Sequence, residues 1–245
     1  MIYFLSDAHI GSLLSGDSSA HQSRITAFLD QIRHDATQIF LLGDWFDFWF
    51  EYKRTIPKGY DRMLGKLAEL TDGGIEVHFF VGNHDMWTFG YLEQSIGLKV
   101  HHHEEIMTLC GKRCFLAHGD TLYTHNKKFM ALLRVFKSPF NQWLFRNVLP
   151  ANWGLKMAFK WSKNSREKAL KYAHPYSGEN REHLVLWAKE KEKTEHFDYY
   201  IFGHRHIELD LMLKTKARVI ILGDCYSLFT YGKMNENGEF ILDNF

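Results

Sequence analysis

The chain alternates short apolar runs with clusters of polar residues. Six apolar runs have the length and composition of buried strands: residues 2–5, 39–42, 77–81, 114–117, 199–202 and 219–222. Each run is followed by a loop that contains Gly, Asp, Asn or His. Short continuous apolar runs bounded by such residues are typical of strands that are buried on both faces. The pattern therefore predicts a buried sheet with polar groups at the carboxyl ends of its strands.

Between the early strands the apolar positions follow a helical period. They recur at i, i+3, i+4 and i+7 in two segments, at Ile25, Phe28, Leu29 and Ile32 and at Tyr60, Met63, Leu64 and Leu67. Strands that alternate with amphipathic helices predict a layered α/β domain, in which ligands bind beyond the carboxyl ends of the strands. Runs 208–213 and 219–222 lie close together, which predicts an antiparallel pair and therefore a mixed β-sandwich.

Residues 127–172 depart from this alternation. The segment has a helical pattern, is rich in Phe, Trp, Leu and Met, and carries eleven Lys and Arg residues against one Glu. We predict a helical cap inserted into a single domain that covers residues 1–245. The formal net charge of the whole chain is only +1, so this local patch alone bears on charged partners.

The sequence also bears on the compartment. No apolar run approaches the 18 or so residues of a membrane-spanning helix, and the first strand leaves no room for a signal peptide. The chain has three cysteines, an odd number that favours reduced core residues over a disulfide framework. We expect a cytoplasmic protein.

Five of the polar loops together offer carboxylate, amide and imidazole donors. Their motifs are Asp-x-His, Gly-Asp, Gly-Asn-His-Asp, His-Gly-Asp and Gly-His-x-His. This donor set suits Mn²⁺, Fe²⁺ or Zn²⁺, and the lack of cysteine in these loops argues against a structural zinc site. One aspartate can bridge two ions, as two-metal hydrolases require, and Asp44 is the candidate bridge.

The five motifs, in this order and each after an apolar run, resemble those of the calcineurin-like metallophosphoesterases. The resemblance spans nearly the whole chain and implies a four-layer mixed β-sandwich flanked by helices. It implies a site for two divalent metal ions, most readily Mn²⁺ with Fe²⁺ or Zn²⁺ as alternatives. One ion would be held by Asp7, His9, Asp44 and His206, and the other by Asp44, Asn83, His118 and His204. His84 would stabilise the transition state or protonate the leaving oxygen, and Asp85 would orient the His84 ring.

Three features are similar to a narrower family, the UDP-2,3-diacylglucosamine diphosphatases of lipid A biosynthesis. These are the start Ser6-Asp7-Ala8-His9-Ile10-Gly11, the segment from His118 to Leu122 followed by Thr124, and the helical insertion. The resemblance implies cleavage of a pyrophosphate to UMP and an acylated sugar 1-phosphate. It implies substrate contacts from Asn83, His84, Asn126, Lys168 and His204. The best-known branch of that family has Arg at the position of His84 and Asp at that of Asn126.

Several alternatives remain open at this point. The basic aromatic insertion suits acyl chains and a diphosphate, and peripheral contact with the anionic inner face of the cytoplasmic membrane. It also fits an ordinary amphipathic cap or a nucleic acid surface, although nucleic acid is the less favoured partner. The activity could instead be that of a nucleotide or nucleic acid phosphodiesterase or phosphatase, and a non-catalytic scaffold is the alternative of another class.

Asp120 and Asp224 are interpreted as turn residues. The aromatic residues between Trp45 and Phe50 are interpreted as packing, or as a pocket wall beside Asp44.

Overall fold

The computed structural model describes residues 1–12, 18–122, 127–157, 159–160, 176 and 178–245, with the side chains of 127–130 left out. Eleven strands lie in the described part of the chain: β1 Ile2–Leu5, β2 Gln38–Leu42, β3 Glu76–Phe80, β4 Lys99–His101, β5 Glu105–Leu109, β6 Lys112–Ala117, β7 Tyr199–Phe202, β8 Glu208–Met212, β9 Arg218–Leu222, β10 Thr230–Met234 and β11 Phe240–Asn244. The helices are α1 Ser18–Ile32, α2 Asp61–Asp72, α3 Tyr91–Ile96, α4 Lys127–Lys137, α5 Pro139–Asn147 and α6 His183–Lys191. Residues 151–157 are also helical.

The strands form two mixed sheets. The six-stranded sheet has the order β11-β10-β1-β2-β3-β4, and the five-stranded sheet has the order β5-β6-β7-β9-β8. The central pairs β1/β2, β2/β3, β6/β7 and β7/β9 are parallel. Parallel neighbours bring the carboxyl ends of their strands to the same edge of a sheet, so the loops after β1, β2, β3, β6, β7 and β9 meet at one end of the sandwich.

Alternate side chains of the central strands enter different apolar layers. Phe4 of β1 packs with Phe40 and Ile220 between the two sheets, whereas Leu5 packs with Ile25 of α1 on the outer face. A third apolar cluster joins α6 to the outer face of the five-stranded sheet. The order of layers is therefore helix, sheet, sheet, helix, which confirms the predicted four-layer α/β sandwich. Burial on both faces explains why the central strands are continuous apolar runs.

The predicted strands and helices are confirmed to within a few residues, and β8 and β9 form the predicted antiparallel pair. Four strands escaped prediction: β4, β5, β10 and β11. Each of them lies at or next to an edge of its sheet, and β4, β5 and β11 have a mixed burial pattern. A strand that is only partly buried carries a weaker apolar signature than a central one.

The predicted insertion at 127–172 is helical over α4, α5 and residues 151–157, and residues 161–172 lie outside the described part of the chain. The single-domain organisation stays a prediction. No helix among the described residues is long and apolar enough to span a membrane.

Candidate metal centre

The loops at the carboxyl ends of the central strands bring six of the seven predicted metal ligands together with His84. Three groups of side chains have donor atoms that all lie within 4.8 Å of one another: Asp7 with His9 and His206, His9 with Asp44 and His84, and Asp44 with His118 and His204. The groups share His9 and Asp44, so they form one continuous cluster. The strand-end loops therefore converge as the sequence predicts.

The backbone at this cluster is unusual. Eight non-glycine residues in the described part of the chain have a positive φ, and five of them are predicted ligands: Asp7 at 52°, His9 at 44°, Asp44 at 50°, His204 at 67° and His206 at 51°. The left-handed conformation costs a non-glycine residue about 1–2 kcal/mol. Such strain persists only where the surrounding structure holds the backbone in place, and it is concentrated at functional sites.

Glycines that precede the predicted ligands allow the loops to approach closely. A Cβ atom on Gly43 would lie 2.4 Å from His118 Nδ1, and one on Gly82 would lie 2.2 Å from Asp44 Oδ1. A Cβ atom on Gly203 would lie 2.7 Å from Asp7 Oδ2. The glycines of these sequence motifs are therefore required sterically, because a side chain at these positions would collide with a predicted ligand on another loop.

Asp7 lies at the centre of the first group. Its Oδ1 is 3.4 Å from His206 Nε2 and 3.8 Å from His9 Nε2. The other oxygen, Oδ2, accepts a 2.8 Å hydrogen bond from the His204 backbone N–H, which fixes the carboxylate. Asp7 Oδ1 is thereby directed between the two imidazole rings.

Asp44 connects the two sides of the cluster. Its Oδ2 lies 3.8 Å from His9 Nε2 and 3.5 Å from His118 Nε2, while Oδ1 accepts a 2.8 Å hydrogen bond from the His84 backbone N–H. His118 Nδ1 donates to the Leu42 carbonyl over 2.8 Å, so in the neutral ring Nε2 carries the lone pair that faces Asp44. Asp44 therefore lies where a bridging carboxylate would be needed.

Three buried polar atoms test whether this site fits metal ions. Among the described residues, Asp7 Oδ1, Asn83 Oδ1 and His118 Nε2 are buried without a hydrogen-bond partner. An unsatisfied buried polar group costs about 1–3 kcal/mol. A carboxylate oxygen, an amide oxygen and an imidazole nitrogen are also the donor types that Mn²⁺, Fe²⁺ and Zn²⁺ accept. The residues present fit a divalent metal site.

The charges at the cluster depend on one another. Burial raises the pKa of Asp44, but the neighbouring His118, His84 and His9 rings outweigh burial and hold that pKa well below its usual value. Burial, together with His118, lowers the pKa of His204, which keeps this imidazole in the neutral form that binds metals. Asp44 is thus ionised and His204 is neutral, whereas the Asp44 carboxylate outweighs burial and raises the pKa of His118 well above its usual value.

Two aspartates that the sequence did not assign to the site lie close to its histidines. Asp224 Oδ2 lies 3.2 Å from His206 Nδ1, and Asp224 Oδ1 accepts hydrogen bonds from the N–H groups of Tyr226, Ser227 and Leu228. Asp224 therefore organises a turn, as interpreted from the sequence, and also orients His206. Asp47 Oδ1 lies 3.6 Å from His9 Nδ1. The Gly223-Asp224 pair after an apolar run was the one available sequence signal, since it repeats the Gly43-Asp44 pattern.

The sequence assigns the orientation of the His84 ring to Asp85, and the structure shows a backbone carbonyl as the partner of one ring nitrogen. His84 Nδ1 lies 2.8 Å from the Asp47 carbonyl oxygen, to which it donates. The Asp85 carboxylate instead accepts hydrogen bonds from the backbone N–H groups of Gly82 and Trp45 at 2.7 Å. Asp85 therefore joins the loop after β3 to the loop after β2.

An apolar cavity of about 290 Å³ adjoins the cluster. Its lining includes Asn83 and His84 from the site, Phe48 and Trp49 from the β2 loop, and Phe136 from α4. Trp45, Phe46 and Phe50 are fully buried packing residues. Phe48 and Trp49 therefore form a pocket wall, whereas Trp45, Phe46 and Phe50 are packing residues, so each of the two sequence interpretations holds for part of this aromatic stretch. The predicted substrate contacts Asn126 and Lys168 lie outside the described residues.

A two-sheet sandwich with an Asp and His cluster at its strand ends is typical of a class of phosphoesterases. The chain belongs to the calcineurin-like phosphoesterase family, whose profile matches residues 1–208. It is 41% identical to the UDP-2,3-diacylglucosamine hydrolase of Porphyromonas gingivalis over 91% of this chain and 89% of that protein. The UDP-2,3-diacylglucosamine hydrolase of Actinobacillus succinogenes is 26% identical over 91% of this chain and 90% of that protein.

Proposed function

We propose that this protein hydrolyses the pyrophosphate of UDP-2,3-diacylglucosamine and releases UMP and 2,3-diacylglucosamine 1-phosphate in lipid A biosynthesis. The observation that carries the proposal is the position of an apolar cavity directly against the Asn83 and His84 side of the polar cluster. The similarity to the relative from Porphyromonas gingivalis, which extends over nearly the full length of both chains, supports it.

The proposed cofactor is a pair of Mn²⁺ ions. Asp7, His9, Asp44 and His206 would hold one ion, and Asp44, Asn83, His118 and His204 the other. When bound, the pair neutralises charge on the phosphoryl oxygens and lowers the pKa of a coordinated water towards about 7. The buried atoms Asp7 Oδ1, Asn83 Oδ1 and His118 Nε2, which have no hydrogen-bond partner among the described residues, support this ligand set.

His84 is proposed to act on the substrate. Its Nδ1 donates to the Asp47 carbonyl, which fixes the ring plane, and a ring nitrogen lies within 4.8 Å of donor atoms of His9 and Asp44. A ring fixed in this way can hydrogen-bond a phosphoryl oxygen at the mouth of the apolar cavity. A phosphate leaving group needs little protonation, so this binding role is sufficient for a pyrophosphate. Asp85 then contributes by holding the loops that carry Asn83 and Asp44.

The cavity is proposed to receive an acyl chain. Phe48, Trp49, Trp87, Phe136 and Met157 offer it an almost wholly apolar lining beside the site. Burial of a methylene group contributes about 0.8 kcal/mol, so several methylenes could supply much of the affinity for the lipid substrate. A substrate that lacked acyl chains would leave this surface in contact with water.

The insertion is proposed to rest on the anionic inner leaflet of the cytoplasmic membrane. Phe140, Trp143 and Trp153 are 67%, 56% and 71% exposed, a high value for side chains of this size. The exposed basic residues Arg134 and Lys156 lie on the same segment. Aromatic rings suit the lipid interface, and each basic group near an anionic surface contributes on the order of 1 kcal/mol.

A substrate panel tests the activity. Purified protein loaded with Mn²⁺ should hydrolyse UDP-diacylglucosamine to UMP far faster than it hydrolyses bis-p-nitrophenyl phosphate or single-stranded DNA. The products are separated and identified by mass spectrometry. Faster hydrolysis of DNA or of the nitrophenyl ester would reject the lipid substrate and indicate that the protein acts on a nucleic acid or a simple diester.

A vesicle assay tests the membrane surface. The double variant Trp143→Asp and Trp153→Asp should reduce co-sedimentation with vesicles that contain phosphatidylglycerol. Met212→Asp is the matched control, because Met212 is 66% exposed but lies on the edge strand β8, away from the insertion. Equal binding by the wild type, the double variant and the control would reject the membrane proposal.

A further inference from the structure

An ion pair supports the loop that carries two of the proposed metal ligands. Arg205 lies between His204 and His206, and its guanidinium makes a bidentate pair with Glu182. Arg205 Nε donates to Glu182 Oε1 over 3.0 Å, and Nη2 donates to Oε2 over 3.1 Å. Glu182 is 3% exposed and directly precedes α6, beyond the insertion. The pair therefore joins the loop after β7 to a different element of the fold.

The loop needs such support because its backbone is strained. His204 and His206 have φ values of 67° and 51°. Within the loop, Arg205 N–H donates to the Gly203 carbonyl over 2.8 Å, and at its start Gly203 N–H donates to the His118 carbonyl over 3.1 Å. These bonds fix the entry to the loop. The Glu182 pair adds a fixed point at the residue between the two histidines.

The chemistry of Glu182 suits a fixed anchor. Its carboxylate also lies 3.1 Å from His183 Nδ1. Burial raises the pKa of Glu182, but hydrogen bonds from His183 and Arg205 outweigh burial and leave the pKa at about 2. The carboxylate is thus ionised at neutral pH. A buried ion pair adds little net stability, because desolvation offsets the attraction, but its bidentate geometry specifies orientation strongly.

We propose that Glu182 and Arg205 are positioning residues that hold His204 and His206 in the conformation that binds the metal ions. The inference rests on the ligand set given under the proposed function. Neither residue touches the ions or the substrate in this account. Substitution of either residue should therefore weaken the affinity for metal ions, and this loss of affinity should exceed what a change in thermal stability alone explains.

The chain contains a matched control pair. Arg218 makes a bidentate pair with Asp210 between β8 and β9, and the Arg205 and Arg218 side chains are both 23% exposed. Asp210 and Arg218 lie on strands β8 and β9, outside the two-histidine loop. Asp210→Asn therefore removes a bidentate charge pair without changing a residue of that loop, and it differs from Glu182→Gln in that the Asp210 side chain is 37% exposed and the Glu182 side chain 2%.

The test measures the Kd of metal-free protein for Mn²⁺ by calorimetry, beside the Tm of each variant. We expect Glu182→Gln and Arg205→Lys each to raise the Kd by about tenfold, the range found when residues that orient metal ligands are changed. Asp210→Asn should change it by less than about twofold. The double variant Glu182→Gln with Arg205→Lys should be no worse than the poorer single variant, because the two residues act through each other.

The outcomes separate this inference from the proposed function. Wild-type affinity in both single variants, or an equal loss in Asp210→Asn, would overturn the positioning role alone. A wild-type protein that binds no Mn²⁺ would overturn the metal centre and the positioning role together. Hydrolysis of the lipid is not part of the readout, so a wrong substrate assignment would leave the result interpretable.

Discussion

Replacing Gly82 with alanine adds one methyl group at the closest approach between two ligand-bearing loops. The new Cβ atom would lie 2.2 Å from Asp44 Oδ1 and 2.5 Å from the Asp44 backbone nitrogen, whereas ordinary contacts begin at 3.4 Å. Asp44 must therefore move by more than about 1 Å. Overpacking of this kind costs about 1–3 kcal/mol of stability. A displacement of about 1 Å in a reacting group can cost about 100-fold in rate.

The assay compares kcat, Mn²⁺ affinity and Tm for Gly82→Ala and Gly65→Ala. Gly65 lies in α2, and a Cβ atom there meets nothing within 4 Å, so its alanine variant should keep full activity. An alanine inside a helix should also stabilise the protein by up to about 1 kcal/mol. We expect Gly82→Ala to lose about 100-fold in kcat and to bind Mn²⁺ more weakly. Wild-type kcat and affinity in Gly82→Ala would refute the claim that the loop contact positions Asp44.

Three further predictions concern single side chains of the site and of strand β3. Asp44→Ala should abolish turnover and bind far less metal. His84→Ala should lower the rate but keep nearly two Mn²⁺ per chain. Equal metal loss in both variants, measured by elemental analysis, would reject the role given to His84. Asp224→Asn should raise the Kd for Mn²⁺ by about tenfold, because it weakens the hydrogen bond that orients His206, and unchanged calorimetric affinity would contradict this. Burial, with His101 and Lys99 nearby, lowers the pKa of His78 from 6.5 to about 4. As the pH falls below 6.5, the unfolded chain takes up the His78 proton first, so up to about 3 kcal/mol of stability should be lost by pH 4. Urea unfolding of the metal-free protein should therefore show a smaller loss between pH 7 and 4.5 for His78→Gln than for the wild type, and equal losses would exclude His78 as a cause.

The central strands and the ligand cluster could be predicted because both depend on local patterns. A strand buried on both faces is a continuous apolar run, and parallel pairing then brings the polar residues after each run to one edge. Asp7, Asp44 and His118 are found together for that reason. The short strands β4, β5 and β11 escaped prediction because their half-exposed faces mix polar and apolar residues.

The supporting contacts could not be predicted in the same way. The Leu42 and Asp47 carbonyl oxygens accept from His118 and His84, and a backbone carbonyl has no signature in residue type. Asp224 reaches His206 because β9 pairs with β7, a neighbour that is not adjacent in the chain. The Glu182 and Arg205 contact likewise depends on tertiary packing between residues 23 positions apart. Side-chain orientation at the site is therefore a property of the assembled sandwich.

The most direct test of the metal-dependent activity measures UMP release from UDP-diacylglucosamine as a function of Mn²⁺ bound per chain. Metal-free protein is titrated with Mn²⁺, and bound metal and product are quantified in the same samples. We predict that release is negligible without metal and reaches its maximum when two ions are bound per chain. Full turnover by metal-free protein, or saturation at two ions without any release of UMP, would contradict the account.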